Sequence, residues 1–319
     1  MSADRIRSIA AFLVYAFAVA TPFSLAAGSI LGVTILVVGA AAVALHAPAR
    51  AAIPPWVLAG VLAMVAWSAV ATATADPFPA KWAIWAKEAW IKLFLVAATG
   101  LMVFARVRVD RLLITYVAAG AVVAVFGIAQ YLTGSVPFRD HVPPKRGDRW
   151  EIEAFYNHHL TYGGHVVVLW LLAVARGVFG TARTTGRLRR AFTVVSIVLL
   201  SLGLYWSYAR SPQVGALGGI AVLLLLLPGR RRLFASAVVV VALAVALASP
   251  TMRARYVDAL DVSTEQTRLL LWRSSADGID ARPWTGFGPG NFHEMMQVHE
   301  VAGEYNTRAH AHNDYLMHA

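Results

Sequence analysis

Residues 223–248 read "LLLLLPGRRRLFASAVVVVALAVALA", two apolar runs joined by a Pro-Gly turn and three consecutive arginines. A membrane-spanning helix needs about 20 mostly apolar residues, and charged residues collect in the loops between spans. The stretch therefore predicts two helices that cross a membrane in opposite directions, with Arg230, Arg231 and Arg232 in the loop between them.

The same alternation of apolar runs and short polar segments extends over the whole chain. Of its 319 residues, 58% are hydrophobic and 14% are charged, and the mean hydropathy is +0.61. These values exceed the apolar content of ordinary soluble domains. The sequence therefore predicts an all-α integral membrane protein, a polytopic helical bundle. Its nine candidate spans lie near residues 8–27, 29–46, 56–74, 89–105, 111–132, 160–175, 191–208, 213–227 and 233–249.

Every second connection between these spans is short and rich in arginine. Such loops stay in the cytoplasm, which predicts a cytoplasmic N-terminus and a transmembrane helical domain over residues 1–249. Residues 75–88, 133–159 and the turn at 208–212 then face outward, as does a cap at 250–319 that leads into a further helix. The basic loops contain Arg5, Arg7, Arg50, Arg106, Arg108, Arg111, Arg176, Arg183, Arg187, Arg189, Arg190, Arg230, Arg231 and Arg232.

The net charge of +11 is spread over these short loops and forms no single basic face. We therefore expect anionic membrane lipid as a partner, and no nucleic acid. The chain has no cysteine, which excludes disulfides and thiolate metal sites.

Two arginines near the outward segments are candidates for anion binding. Arg210, in "YWSYARSPQVGALGG" (residues 205–219), lies between two apolar spans, where a charge is costly unless it reaches the interface or an anion. Arg268, in "TRLLLW" (residues 267–272), either pairs with Glu265 on a helix surface or joins Arg210. Two guanidinium groups can hold the oxygens of a phosphate or diphosphate without a metal.

The cap contains a helical pattern followed by a glycine-rich segment. "TEQTRLLLWRSSADGI" (residues 264–279) predicts a helix that buries Leu269, Trp272 and Ile279. "GFGPGNF" (residues 286–292) predicts a tight turn between two cap helices. A dinucleotide-binding loop is disfavoured because no strand precedes the glycines and their spacing differs.

Histidines form two clusters in the outward segments. In "AHAHNDYLMHA" (residues 309–319), His310, His312 and Asp314 have spacing that suits a metal if the segment is extended, but no convincing further ligand is present. A neutral imidazole at a membrane surface is instead a good general base. His158 and His159 are interfacial residues or recognise hydroxyl-rich groups. We expect no metal and no cofactor.

Three motifs taken together resemble a known family. "YARSPQVGALGG" (208–219), "TRLLLW" (267–272) followed by "PWTGFGPGNF" (283–292), and "AHNDYL" (311–316) resemble the O-antigen ligase and O-antigen polymerase superfamily of bacterial inner-membrane proteins. Their order along the chain and their outward placement make the set more specific than any one motif. Within the superfamily, the chain is more similar to the O-antigen ligases.

The resemblance implies a metal-independent, inverting glycosyltransferase with a GT-C-like membrane fold. The donor would be a glycan on undecaprenyl diphosphate and the acceptor a sugar hydroxyl of the lipid A core, both at the periplasmic face of the inner membrane. By motif, Arg210 and Arg268 would bind the donor diphosphate and His312 would be the catalytic base. Basic residues of other outward segments would strengthen the field around the phosphates: Lys81, Lys87, Arg139, Lys145 and Arg146.

Three alternatives stay open at this point. An O-antigen polymerase uses the same donor but extends one lipid-linked glycan with another, and a protein O-oligosaccharyltransferase glycosylates protein. A transporter or flippase also has many apolar spans, although its ionisable groups usually lie near the membrane midplane. Members of the superfamily usually have further spans after the histidine motif, so we expect this chain to be truncated at its C-terminus.

Overall fold

The computed structural model describes residues 3–135, 142–146, 148–156, 158–179, 186–250, 253–254, 256–257, 266–299 and 301. Nearly all the regular structure in these residues is helical. The one strand pair among them is a two-residue antiparallel ribbon, in which β1 (Lys145–Arg146) pairs with β2 (Arg149–Trp150). The prediction of an all-α protein is therefore confirmed.

Twelve helices are described. They are α1 (Ala3–Phe23), α2 (Leu25–Leu45), α3 (Ala47–Ala51), α4 (Pro55–Ala73), α5 (Trp82–Phe104), α6 (Val109–Thr133), α7 (His159–Phe179), α8 (Arg187–Trp206), α9 (Arg210–Leu225), α10 (Gly229–Ala248), α11 (Gln266–Ala281) and α12 (Phe292–Val298).

Within the described residues, six of these helices are long and apolar enough to cross a membrane: α1, α2, α4, α6, α7 and α8. The protein is thus a multi-pass membrane protein, with fewer such helices than the nine predicted spans. α5 fails because Lys87, Glu88 and Lys92 interrupt its apolar sequence, and α9 has only 16 residues. The ninth predicted span corresponds to α10, in which several side chains lie outside the described residues.

The chain forms two compact units, each built from separate parts of the sequence. Unit 1 comprises Met1–Ala10, Val33–Arg106 and Val257–Ala319, and unit 2 comprises Ala11–Gly32 and Val107–Tyr256. The division into a transmembrane domain (1–249) and a cap (250–319) concerns placement in the membrane and stays a prediction.

The core of unit 2 lies among α6, α7 and α8. Tyr162 and Leu169 of α7 and Leu200 of α8 are fully buried there, and Val117 and Val123 of α6 join the same cluster. The three helices present apolar residues to one another at helical spacing, and burial of these side chains drives their packing.

Unit 1 contains the two cap helices, and their contact differs from the prediction. The prediction that α11 buries Leu269, Trp272 and Ile279 is wrong for Trp272, which is 38% exposed, whereas Leu269 and Ile279 are half-buried. Leu271 is buried instead and packs with Met295 of α12. The buried face of α11 continues through small residues, Ser274, Ser275 and Gly278, which a search for large apolar side chains overlooks.

Candidate functional site

Arg210 is the first residue of α9 and follows a tight turn. Helix α8 ends at Trp206, and Tyr208 takes a left-handed backbone conformation with φ of 54°. The Ser207 hydroxyl donates to the Leu204 carbonyl (2.7 Å) and accepts from the Ala209 N–H (3.2 Å). The half-buried Arg210 side chain therefore begins at a backbone position held by side-chain hydrogen bonds.

Gln213 fixes the start of α9 against the end of α8. Its side-chain nitrogen donates to the carbonyls of Leu204 and Tyr205, both at 3.2 Å, and so satisfies acceptors that the end of a helix leaves open. Its side-chain oxygen accepts a 2.8 Å hydrogen bond from the Tyr256 hydroxyl. Arg210 is thus placed by a network that involves α8, α9 and the segment after α10.

Helix α7 packs closely against this turn at Gly163. A Cβ at Gly163 would lie 2.9 Å from Cγ of Pro212 and 3.0 Å from Cβ of Ala209. A larger residue would push α7 away from the residues on either side of Arg210. The close approach makes the turn a rigid part of unit 2.

Elsewhere in unit 2, the side chain of Gln130 in α6 binds the segment before α7. The side-chain oxygen of Gln130 accepts from the N–H groups of Glu153 (2.9 Å) and Ala154 (2.7 Å). Nδ1 of His159 lies 3.3 Å from Oε2 of the buried Glu151. His158 stacks on His159, with ring centroids 4.4 Å apart.

These contacts give different environments to the two histidines that were predicted to bind substrate. The His159 side chain is only 15% exposed and lies against Glu151. His158 is exposed, although its Nδ1 accepts from the Leu160 N–H (3.1 Å) at the start of α7. Substrate binding by either stays a prediction, and the exposed His158 is the better candidate.

The short β-ribbon places basic residues beside aromatic rings. The Lys145 ammonium lies 4.4 Å from the Trp150 ring centroid, and the Arg149 guanidinium lies 5.9 Å from that of Tyr131. Tyr131 in turn stacks on Trp206 at 4.6 Å, next to the turn that carries Arg210. Sequence reasoning missed Arg149, because its aromatic partner precedes it by 18 residues. The Arg146 side chain and all of Arg139 lie outside the described residues.

In unit 1, Lys81 contacts α12 and the end of the glycine-rich segment before it. Its ammonium lies 2.5 Å from Oε1 of Glu294 and donates to the Gly290 carbonyl (2.8 Å). Desolvation raises the pKa of Glu294, but the hydrogen bond from Lys81 and the charges of Lys81 and His293 outweigh it and lower that pKa. Because the Lys81 charge already faces a carboxylate, this residue is a weaker phosphate-binding candidate than the exposed Lys87.

Arg282 and Asn291 attach the same cap to the segment after α4. The Arg282 guanidinium donates to the carbonyls of Thr74 (3.1 Å) and Asp76. The side-chain nitrogen of the buried Asn291 donates to the carbonyls of Pro79 (3.1 Å) and Phe287 (2.8 Å). Neither residue was identified from the sequence, because Thr74, Asp76 and Pro79 precede them by more than 200 positions.

The predicted glycine turn is present between the cap helices. Gly286, Gly288 and Gly290 all have positive φ, at 58°, 82° and 81°. A Cβ at Gly288 would lie 2.9 Å from the Ala71 carbonyl oxygen of α4. The turn therefore joins α11 to α12 and also packs against α4.

A cavity of about 710 Å³ lies in unit 1 between α4, α5, α11 and the glycine turn. Trp67, Trp284 and Phe287 provide apolar walls, and Glu88 and Lys92 add an ion pair (3.8 Å). Such a cavity suits an apolar chain with a polar group. Glu88 and Lys92 were not among the predicted site residues, since in the sequence they resemble an ordinary pair four residues apart on a helix.

The structure describes the three residues with predicted roles in catalysis or donor binding, Arg210, Arg268 and His312, to different extents. Arg210 belongs to unit 2. Arg268 is in the first turn of α11 in unit 1, and its side chain lies outside the described residues. His312 lies wholly outside them. Their convergence on one substrate stays a prediction.

Comparison with protein-family models gives a match that covers all three of these residues. Residues 195–318 match the model described as O-antigen ligase. This part of the chain is similar to the O-antigen ligase family. The matched region begins within α8 and includes the Arg210 turn, both cap helices and the histidine motif. No curated protein and no solved structure matches the chain.

Proposed function

We propose that the protein is an inner-membrane glycosyltransferase of lipopolysaccharide assembly, which transfers O-antigen glycan from undecaprenyl diphosphate to a sugar hydroxyl of the lipid A core. The observation that carries this proposal is the family match over residues 195–318, which contains Arg210, Arg268 and His312 in their expected order. The six apolar helices suit a donor and an acceptor that are both lipids.

The proposed role of the two arginines is to bind the donor diphosphate. Both lie in the first turn of a helix, Arg210 in α9 and Arg268 in α11. The N-terminus of a helix carries a partial positive charge and unpaired N–H groups, so each site adds its dipole to a guanidinium. Arginine also forms paired hydrogen bonds with phosphate oxygens. Together these groups would supply the positive charge without a metal.

The proposed reaction is a single displacement with inversion at the anomeric carbon. His312 accepts the proton of the acceptor hydroxyl as that oxygen attacks the carbon from the face opposite the diphosphate. The new glycosidic C–O bond forms while the bond to the diphosphate oxygen breaks, and undecaprenyl diphosphate leaves with the electron pair. Fixed positive charges beside this oxygen stabilise the charge that develops in the transition state.

The test is glycan transfer in proteoliposomes that contain the full-length protein, lipid-linked donor and lipid A core. We expect His312→Ala to abolish transfer while donor binding stays within about twofold, since the base acts after the donor is bound. The matched control is His299→Ala, a change of the same type in the cap that lies outside the proposed chemistry. Unchanged transfer by the His312 variant would remove this residue from the mechanism.

The arginines are tested separately. Arg210→Ala and Arg268→Ala should weaken donor binding and turnover together, and lysine should restore only part of either because it cannot form the paired contact. Arg273→Ala, a change at an exposed position of α11, is the control. Growth of the lipid-linked glycan without any lipid A core would identify a polymerase. Glycan on protein, or lipid movement without transfer, would each contradict the proposal.

A further inference from the structure

A second cavity, of about 510 Å³, lies in unit 2 between α1, the start of α6, the end of α7 and the start of α8. Three arginines line it: Arg111 in the first turn of α6, Arg176 in the last turn of α7 and Arg189 in the first turn of α8. We call it the arginine pocket. Its arginines belong to the loops whose charge predicted a cytoplasmic location, whereas the proposed transfer uses residues of the outward segments.

The positive charge of the pocket exceeds the negative charge that the protein places beside it. One Arg176 nitrogen donates to Oδ1 of Asp110 at 2.9 Å, whereas its Nε is buried and has no hydrogen-bond partner among the described residues. Within the described part of the chain, the guanidinium groups of Arg111 and Arg189 form no hydrogen bond or ion pair. Three cations thus face one carboxylate, and a buried donor is unsatisfied, which is costly unless a ligand accepts from it.

Two helix N-termini add to this field. The N-cap residues of α6 and α8, Arg108 and Gly186, provide no side-chain hydrogen bond to the first N–H groups of their helices. These N–H groups and the positive ends of the helix dipoles favour an anion at the same end of the unit. The charge of the pocket therefore suits a phosphate group.

The remaining walls are apolar and favour a lipid over a soluble phosphate. Ile114, Leu188 and Phe192 line the pocket beside the arginines, and Leu188 is 87% exposed. α6 and α8 are both apolar enough to span a membrane, so Leu188 lies near the basic end of a membrane helix. A hydrated ion gains nothing from such a wall, whereas an acyl chain buries against it.

We propose that the arginine pocket binds the phosphate of an anionic phospholipid, with one acyl chain against Ile114, Leu188 and Phe192. The pocket then fixes the basic ends of α6, α7 and α8 at the membrane surface. Basic pockets between membrane helices are a known means of headgroup recognition, in which paired arginine contacts to phosphate supply the affinity.

The test measures lipid binding to the purified full-length protein in neutral detergent by native mass spectrometry. Phosphatidylglycerol and phosphatidylcholine with the same acyl chains are compared, and we expect phosphatidylglycerol to bind at least about tenfold more tightly. Arg111→Gln combined with Arg189→Gln should weaken phosphatidylglycerol binding by about tenfold or more, because each lost contact is charge-assisted. Both side chains are exposed, so the variant should fold normally.

The matched control is Arg187→Gln combined with Arg230→Gln, which removes the same charge from basic segments outside the pocket. We expect it to change binding by less than about twofold, because a screened charge that does not contact the lipid contributes little. An equal loss of phosphatidylglycerol binding in the control would show that the lipid is attracted by the overall positive charge, and this result would overturn the proposed site. Equal binding of phosphatidylcholine would do the same.

Competition by inorganic phosphate and a change in the apolar wall distinguish a lipid-binding site from a site for soluble phosphate. Millimolar phosphate should not displace phosphatidylglycerol, and Leu188→Ser should weaken lipid binding by about threefold, as expected for loss of one apolar contact. Displacement by phosphate, together with no effect of Leu188→Ser, would show that the pocket binds a soluble anion and would overturn the proposal. None of these measurements depends on glycan transfer.

Discussion

Two groups of residues, one in each unit, contain basic side chains that are used in different ways. The first is the cap anchor, which consists of Lys81, Arg282, Asn291 and the glycine turn. The second is the arginine pocket. In the cap anchor, Lys81 and Arg282 donate to a carboxylate and to backbone carbonyls of unit 1 itself. In the pocket, Arg111 and Arg189 have no such partner among the described residues.

The difference shows that a basic residue near a membrane surface cannot be assigned to substrate or lipid from its type alone. A cation that already satisfies protein acceptors stabilises the fold, and its loss leaves those acceptors unpaired. A cation without protein acceptors contributes little to folding and is available to an external anion. Changes at the cap anchor should therefore lower stability, and changes at Arg111 and Arg189 of the pocket should not.

The largest effect is expected at Asn291. Asn291→Ala removes two hydrogen bonds to the carbonyls of Pro79 and Phe287 from a fully buried position, which should lower the free energy of unfolding by about 3 kcal/mol. Denaturation in detergent measures this change. Val298→Ala, at an exposed position of α12, is the control and should cost less than about 0.5 kcal/mol. Equal midpoints for the two variants would refute the anchor.

The next effect is at Gly288. An alanine there needs φ of 82° and places Cβ 2.9 Å from the Ala71 carbonyl oxygen, so Gly288→Ala should cost about 2 kcal/mol. Gly218→Ala is the matched control, because a Cβ there meets no atom within 4 Å and alanine favours the α9 helix. Thermal denaturation should show opposite shifts for the two variants. A gain in stability at Gly288 would show that the turn does not pack against α4.

The direct comparison of the two clusters uses the same substitution in each. Arg282→Gln should lower the free energy of unfolding by about 1.5 kcal/mol, because it loses charge-assisted hydrogen bonds to the carbonyls of Thr74 and Asp76. Arg111→Gln should change it by less than about 0.5 kcal/mol. Both variants are measured without added lipid. A larger loss at Arg111 than at Arg282 would reverse the comparison.

The smallest effect is expected for the Lys81–Glu294 ion pair. The two side chains are 25% and 29% exposed, and a pair of this kind contributes about 1 kcal/mol or less. Because the pKa of Glu294 is lowered in the folded protein, the contribution is present above its unfolded pKa and is lost as pH falls through the folded pKa. Glu294→Gln should therefore reduce stability at neutral pH and have little effect in strong acid. A pH-independent difference would contradict the charged pair.

Much of the architecture is predictable from the sequence because apolar length and turn chemistry are local properties. The runs of apolar residues predicted the positions of the membrane helices, and the three glycines predicted the turn between α11 and α12. Among the described residues, the helices long and apolar enough to span a membrane are fewer than the nine predicted runs, because α5 contains three charged side chains and α9 is short. The prediction for the buried face of α11 failed at Trp272 for another reason. The small residues Ser274, Ser275 and Gly278 are buried there, whereas Trp272 is exposed.

The sequence by itself determined a helical membrane protein and the order of motifs that the O-antigen ligase family match covers. Only the tertiary structure decided which cations the protein satisfies itself. Lys81 contacts Glu294 across 213 positions, whereas Arg111 faces a pocket built from four helices. The physical reason is that apolar periodicity acts within one helix, but the partner of a charge depends on which helix ends the packing brings together.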